Sequence, residues 1–160
     1  MLCITQILLP LSIFFTDPIK YIYKNINKTK ENIQRTIWQL EIPKINLKGN
    51  IEDGTDQENL NKNIAHFQES AYIKGNICLA AHNRGYDVNY FKDIKKLKKG
   101  DKIIYKFKDL ELNYLVTENK IINDTDIQVI DNTRENIITL ITCVENQPEK
   151  RRCIRGKLTI

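Results

Sequence analysis

Residues able to carry acid, base or nucleophile chemistry are scarce in this chain. Only 2 histidines (His66 and His82) and 4 cysteines (Cys3, Cys78, Cys143 and Cys153) occur among 160 residues. None of the cysteines forms a CxxC pair, and no His/Cys cluster has metal-ligand spacing, which speaks against a structural zinc. A Cys143–Cys153 bridge is not expected either, since one ends a strand pattern while the other lies inside one, and hairpin disulfides need matched register. Glycine (6) and proline (4) are too few for a collagen-like or low-complexity chain. A long apolar run is missing as well. The best candidate, "LCITQILLPLSIFF", is uncharged and reaches its first charge at Asp17, short of the ~20 residues that span a bilayer. It lacks the basic leader and the small-residue cleavage site of a signal peptide. Residues 1–16 are read as a shortened membrane anchor, with a buried amino-terminal helix as the alternative.

What remains is a chain with an ordinary globular balance, 41% hydrophobic and 28% charged, with a formal net charge of +5. That length and composition suit one domain with its own core. The densest basic cluster, Lys92, Lys95, Lys96, Lys98, Lys99 and Lys102, reads as a solvated face, although it would suit any polyanion. Residues 17–35 are a polar linker or short helix, and the domain proper runs over 36–160. Strand patterns dominate it: "TIWQLEIPKI", "LKGNIEDG", "GNICLAAH", "DKIIYKFKD", "LELNYLVTENKII", "IQVI", "NIITLITC" and "RRCIRGKLTI", separated by Asn, Asp and Gly turns. Helical spacing marks "DQENLNKNIAHF" and "VNYFKDIKKLKKG". The reading is a mainly β barrel with two short helices.

A cysteine attacks as thiolate, and nearby cations favour that form. Cys143 ends a β-branched run and faces Arg151 and Arg152 across a polar turn. Nucleophilic catalysis also requires an acid or base. His82 directly follows a buried strand and precedes the turn "NRG", which suits a ring emerging at a barrel rim, whereas His66 lies in the helix-like "NIAHF" and reads as structural. Cys78, inside an apolar run, reads as a buried small hydrophobe.

Three segments in order, "GNICLAAHN", "TLITC" and "RRCIRGKL", resemble the histidine, nucleophile and arginine strands of the sortases, cysteine transpeptidases of Gram-positive cell surfaces. The flanking "LEIPKINLKGNIEDG" and "FKDIKKLKKGDKIIY" are similar too, so the resemblance covers residues 36 to 160. It implies an eight-stranded β-barrel with His82, Cys143 and an arginine gathered at one end of a groove. It also implies a reaction: Cys143 attacks a backbone carbonyl in an LPxTG-like sorting signal, and an amine resolves the thioacyl-enzyme. His82 acts there as general acid and base, and the arginine holds substrate and oxyanion. Thr142, matching the threonine of the family's TLxTC, would help shape the oxyanion site.

Adjacent strand residues point to opposite faces, so only one of Arg151 and Arg152 faces the cysteine. The resemblance favours Arg151, because Gly156 stands five positions after it, where sortases usually carry Gly or Ala. Arg152 is the alternative, since it alternates with Ile154 and Leu158. No room exists between Ile122 and Ile137 for the long extra helix of class B sortases, which leaves class A or D as the nearer type. "DPI" at residues 17 to 19 only faintly resembles a class C lid.

The partners implied are surface proteins with a carboxy-terminal sorting signal, an amine acceptor such as a peptidoglycan precursor or pilin lysine, and the membrane through the amino-terminal segment. The catalytic domain would then lie on the extracellular side. No cofactor is implied, and Glu69 and Asp87, placed where a calcium site could sit, read as solvated carboxylates. A non-catalytic basic barrel binding nucleic acid or an anionic wall polymer is the competing reading. Against nucleic acid, Tyr105 and Phe107 alternate with Lys106 and Lys108 as core and surface do, not as a stacking platform does.

Overall fold

In the computed structural model, residues 37–159 are described; the apolar segment, the polar linker and "DPI" lie outside them. Eight strands close into one barrel in the order β1-β2-β3-β4-β7-β8-β6-β5, with β5 returning to β1. The strands are β1 (Trp38–Ile42), β2 (Leu47–Asp53), β3 (Ile64–His66), β4 (Asn76–Ala80), β5 (Lys102–Phe107), β6 (Leu110–Asn123), β7 (Ile137–Val144) and β8 (Gln147–Leu158). Among the described residues, closure leaves no open sheet edge.

Period-two alternation turns into barrel wall most plainly in β2. Leu47, Gly49 and Ile51 face inward, and Lys48, Asn50 and Glu52 face water. Gly49 is required by close approach: a Cβ there would lie 2.6 Å from the Tyr90 ring and 2.8 Å from Ile64 Cδ1. Pro43 ends β1 by removing a donor and fixing φ, and a single 3-10 turn (Pro43–Ile45) leads into Asn46 at φ 49°. The core gathers Leu40, Ile42, Ile77, Leu79, Tyr105 and Tyr114, all with 0% exposure, within one continuous cluster. Tyr105 also accepts a hydrogen bond from Trp38 Nε1 at 2.9 Å, and Phe107 packs edge-on against Trp38. Both aromatics of β5 therefore belong to the packed interior and its mouth.

Helix expectations shrink in the structure. From "DQENLNKNIAHF" only one α-helical turn survives, α1 (Gln57–Leu60), capped by the Asp56 carboxylate accepting from Asn59 N at 3.0 Å. The remainder becomes β3, which pairs in parallel with β2 through Ile51–Ile64 and Asp53–His66. In "VNYFKDIKKLKKG", Phe91, Ile94 and Leu97 are buried as expected, but on a chain whose only helical stretch is the 3-10 turn Ile94–Lys96. Strict spacing of three matches the three residues per turn of a 3-10 helix, so the apolar pattern alone could not separate the two forms. Its lysines are exposed, as is all of the basic cluster.

"IQVI", expected as a strand, is also a 3-10 turn (Ile127–Ile130). It packs over the outer face of β4. Asn76 Nδ2 donates to the Val129 and Asp131 carbonyls, both at 2.9 Å, and Cys78 Sγ lies 3.7 Å from Ile130 O. That cover explains why four consecutive β4 residues, Asn76 to Leu79, are buried on both faces.

His66 is structural, though from a strand and not a helix. Its ring is fully buried; Nδ1 sits 2.8 Å from Asp53 Oδ1 and Nε2 3.2 Å from the Ala71 carbonyl.

Candidate functional site

Two strand pairings build the site. β4 and β7 run parallel with Cys78 beside Thr139 and Ala80 beside Ile141. Two residues further along each chain stand His82 and Cys143. The register is carried past the end of β4 by three hydrogen bonds: Ala81 N to Ile141 O (3.4 Å), Thr142 Oγ1 to Ala81 O (2.6 Å) and Asn83 Nδ2 to Cys143 O (2.6 Å). His82 is thus bracketed by two residues that are both tied to β7 at the level of Cys143. On the other side, β8 runs antiparallel to β7 with Cys143 opposite Arg151 and Thr142 opposite Arg152.

Directly opposed residues share a face of the sheet. Cys143 and Arg151 therefore stand on the outer face, and Arg152 shares the inner face with Thr142 and Ile154. Just beyond Cys143 the register slips, at a tight turn where Asn146 adopts φ 56°. The barrel ends there, and Cys143 is exposed as a free thiol while Cys78 and Cys153 are free and buried. The two cysteines considered for a bridge are not cross-strand partners, since Cys153 faces Ile141. Burial pushes the Cys78 thiol up to about 12 and raises that of Cys153. Both are inert by that measure.

The two arginines have different surroundings. Arg151 Nη1 donates to the carbonyls of Pro148 (2.5 Å) and Lys150 (2.9 Å), and Nη2 lies 3.7 Å from Asp124 Oδ2. Arg152 Nη1 donates to Asn119 Oδ1 at 2.7 Å, and Asn119 in turn donates to the Lys95 and Leu97 carbonyls. That chain ties β8 to the 3-10 turn over the barrel mouth. Arg152 also lines, with Asn83, Arg84, Phe91 and Thr142, a cleft of about 310 Å3 to whose wall Cys143 contributes. The register sets Arg151 opposite Cys143, while the cleft wall carries Arg152 beside Cys143.

His82 is half-buried, and burial pushes its ring below the usual imidazole range. Tyr86 stacks on it at 3.5 Å between ring centroids and 7° between planes, and Gln57 Nε2 lies 3.3 Å from His82 Nε2. Sequence reading passed over Gln57, Asn83, Tyr86 and Asn119. The turn-forming "HNRG" flagged the loop, but nothing in a linear pattern flags a ring that folds back four residues. Thr142 is 5% exposed, and its hydroxyl donates to Ala81 O, a bond that ties the β4 and β7 ends together.

Glu69 and Asp87 are exposed, and among the described residues no three His, Cys, Asp or Glu side chains converge as a metal site would need.

A model of the sortase domain matches residues 40–159. The chain belongs to the sortase family. Among curated relatives, sortase A of Listeria monocytogenes is 37% identical over 110 residues, covering 67% of this chain and 49% of the relative. Sortase D of Bacillus subtilis is 35% identical over 127 residues, covering 74% and 61%. The crystal structure of the Listeria monocytogenes sortase A superposes with a TM-score of 0.73 at 33% identity, covering 79% of this chain and 88% of that one. The chain thus spans about half to three-fifths of the length of these curated relatives. As in the class A and D reading, the connection from β6 to β7 holds only the four-residue turn Ile127–Ile130 in place of a long helix. Among the described residues no helix is long and apolar enough to cross a membrane.

Proposed function

We propose that this sortase domain is a cysteine transpeptidase in which Cys143 is the nucleophile, His82 the general acid and base, and Arg151 the residue that holds substrate and oxyanion. The observation that supports it is the alignment of these three positions abreast on β4's extension, β7 and β8. His82 takes the thiol proton, and Cys143 Sγ attacks a backbone carbonyl of an LPxTG-like sorting signal. The tetrahedral oxyanion collapses, the peptide C–N bond breaks, and His82 returns the proton to the departing amine. An incoming amine then gives its proton to His82, attacks the thioester and expels the thiolate.

Arg151 suits its part by chemistry. A planar, permanently charged donor fork stabilises a developing oxyanion better than lysine. Its present acceptors are two backbone carbonyls, the same group that a bound peptide presents. Thiol, imidazole and guanidinium supply every group the reaction uses.

The substrates proposed are surface proteins bearing a carboxy-terminal sorting signal and an amine acceptor of the wall or a pilin. The place of action is the outer side of the cell membrane, with attachment through the amino-terminal segment. Mass spectrometry of the protein incubated with a panel of sorting peptides tests this reading. A thioacyl adduct should form on the parent chain and not on Cys143→Ala; an adduct on neither, across the panel, rejects the reading.

A further inference from the structure

His82 is held from two sides by residues that no part of the reaction calls for. Its ring lies flat on Tyr86, 3.5 Å away and 7° from parallel. At its edge, Nε2 meets Gln57 Nε2 at 3.3 Å. The same Gln57 Nε2 lies 2.8 Å from Asn61 Oδ1, one helical turn on, so the Gln57 amide is itself held in place. The ring is thus met on its face by Tyr86 and at its edge by Gln57.

We propose that Tyr86 and Gln57 are positioning residues for His82: the stacked phenol fixes the plane of the imidazole, and the Gln57 amide, held by Asn61, fixes the rotation of the ring within that plane. The assignment builds on the transpeptidase reading for its purpose, but its geometry is independent of it. An imidazole can accept the Cys143 proton only if the ring is aimed correctly, and angular errors are costly at that step.

Both residues sit on elements that can hold them. Gln57 opens α1 beneath the Asp56 cap. Tyr86 follows Gly85, whose φ of 77° turns the loop back over the ring. The titratable groups on the elements around His82 are Tyr86 and Asp87 on its own loop, Asp56 and Glu58 at α1, Cys143 on β7, the Arg84–Glu145 pair at 2.8 Å, and Arg151 on β8. Burial of the ring, and no charge among these, is what displaces His82.

The test is proton NMR of the full chain, which has only two histidines, one of them the fully buried His66. Gln57→Glu replaces the amide with a carboxylate and should raise the His82 midpoint by about one pH unit. Tyr86→Ala should also raise it by uncovering the ring, whereas Tyr86→Phe, which keeps the stack, should leave it in place. In peptide turnover, Tyr86→Ala should lose about tenfold in kcat with KM little changed, and Tyr86→Phe should restore it. The pH–rate profile of Gln57→Glu should move with its NMR midpoint. Midpoints unchanged in both Gln57→Glu and Tyr86→Ala overturn the assignment. Midpoints that move as stated in a protein that forms no thioacyl adduct leave the clamp standing and remove the transpeptidase reading instead. Tyr86 is 46% exposed, so its variants should fold.

Discussion

Cys143 of β7 stands directly opposite Arg151 of β8, on the outer face of the barrel and one strand away from the extension that carries His82. Arg152, its neighbour in sequence, is opposite Thr142 and bound to Asn119. The two arginines should therefore fail in different ways. Arg151→Ala should lower kcat/KM about a hundredfold or more, the scale of losing one oxyanion donor, with little change in melting temperature. Arg151→Lys should not restore it. Arg152→Ala should lower melting temperature and reduce turnover much less. Steady-state kinetics with a sorting peptide, alongside a thermal melt of each variant, distinguishes them; turnover lost only in Arg152→Ala would reverse the assignment.

The three described cysteines differ in access, which predicts a labelling order. Cys143 is exposed, and Cys78 and Cys153 have 0% exposure with thiols pushed upward by burial. Iodoacetamide at neutral pH should modify Cys143 first, and the other two only after denaturant is added. Peptide mapping over a time course gives the order directly. Equal rates for Cys143 and Cys153 in the folded protein would contradict the burial described here.

Thr142 acts through backbone. Replacing it with valine keeps shape but leaves the Ala81 carbonyl, now paired at 2.6 Å, without its donor. The expected cost is about 1–3 kcal/mol, seen as a lower melting temperature. Turnover should fall as the His82 and Cys143 levels drift apart. Thr142→Ser keeps the hydroxyl and should recover most of both.

Asp53 predicts a pH dependence of stability. Burial pushes its carboxyl up, but hydrogen bonds from His66, Tyr72 and Gln68 outweigh that, and the group ends below the ordinary carboxylate range. A carboxylate more acidic when folded than unfolded contributes stability above its unfolded value, about 3.9, and loses it as pH falls through the lower folded value. Denaturant midpoints measured from neutral pH downward should decline below about pH 4 in the parent chain. Asp53→Asn should start from a lower stability at neutral pH and decline less steeply over the same window. Parallel curves for the two proteins would show that Asp53 is not a source of that decline.

Much of this fold is written in local pattern. Alternation in "LKGNIED" and "KIIYKF" specifies strands with one buried face, and Pro43 and Gly54 end elements through their own backbone limits. The residues of the candidate site could also be picked out, because a thiol at a strand end, a histidine after a buried strand and paired arginines are rare enough to be noticed singly. Pattern failed where a short apolar stretch had no neighbour to decide its form. "IQVI" and "IAH" look alike in a line of text, yet only "IAH" finds a partner strand, β2, and only it becomes a strand.

Which side chains face one another was settled by closure of the barrel. Whether Arg151 or Arg152 shares a face with Cys143 depends on the cross-strand register, and a slip of one residue would exchange them. The stack of Tyr86 on His82 and the Gln57 amide at its edge likewise require α1 and the loop after β4 to meet at one rim. Composition and order dictate what each segment can become, because those preferences act over a few residues. Contacts between segments far apart in the chain are fixed only when the hydrophobic core brings all eight strands into one register.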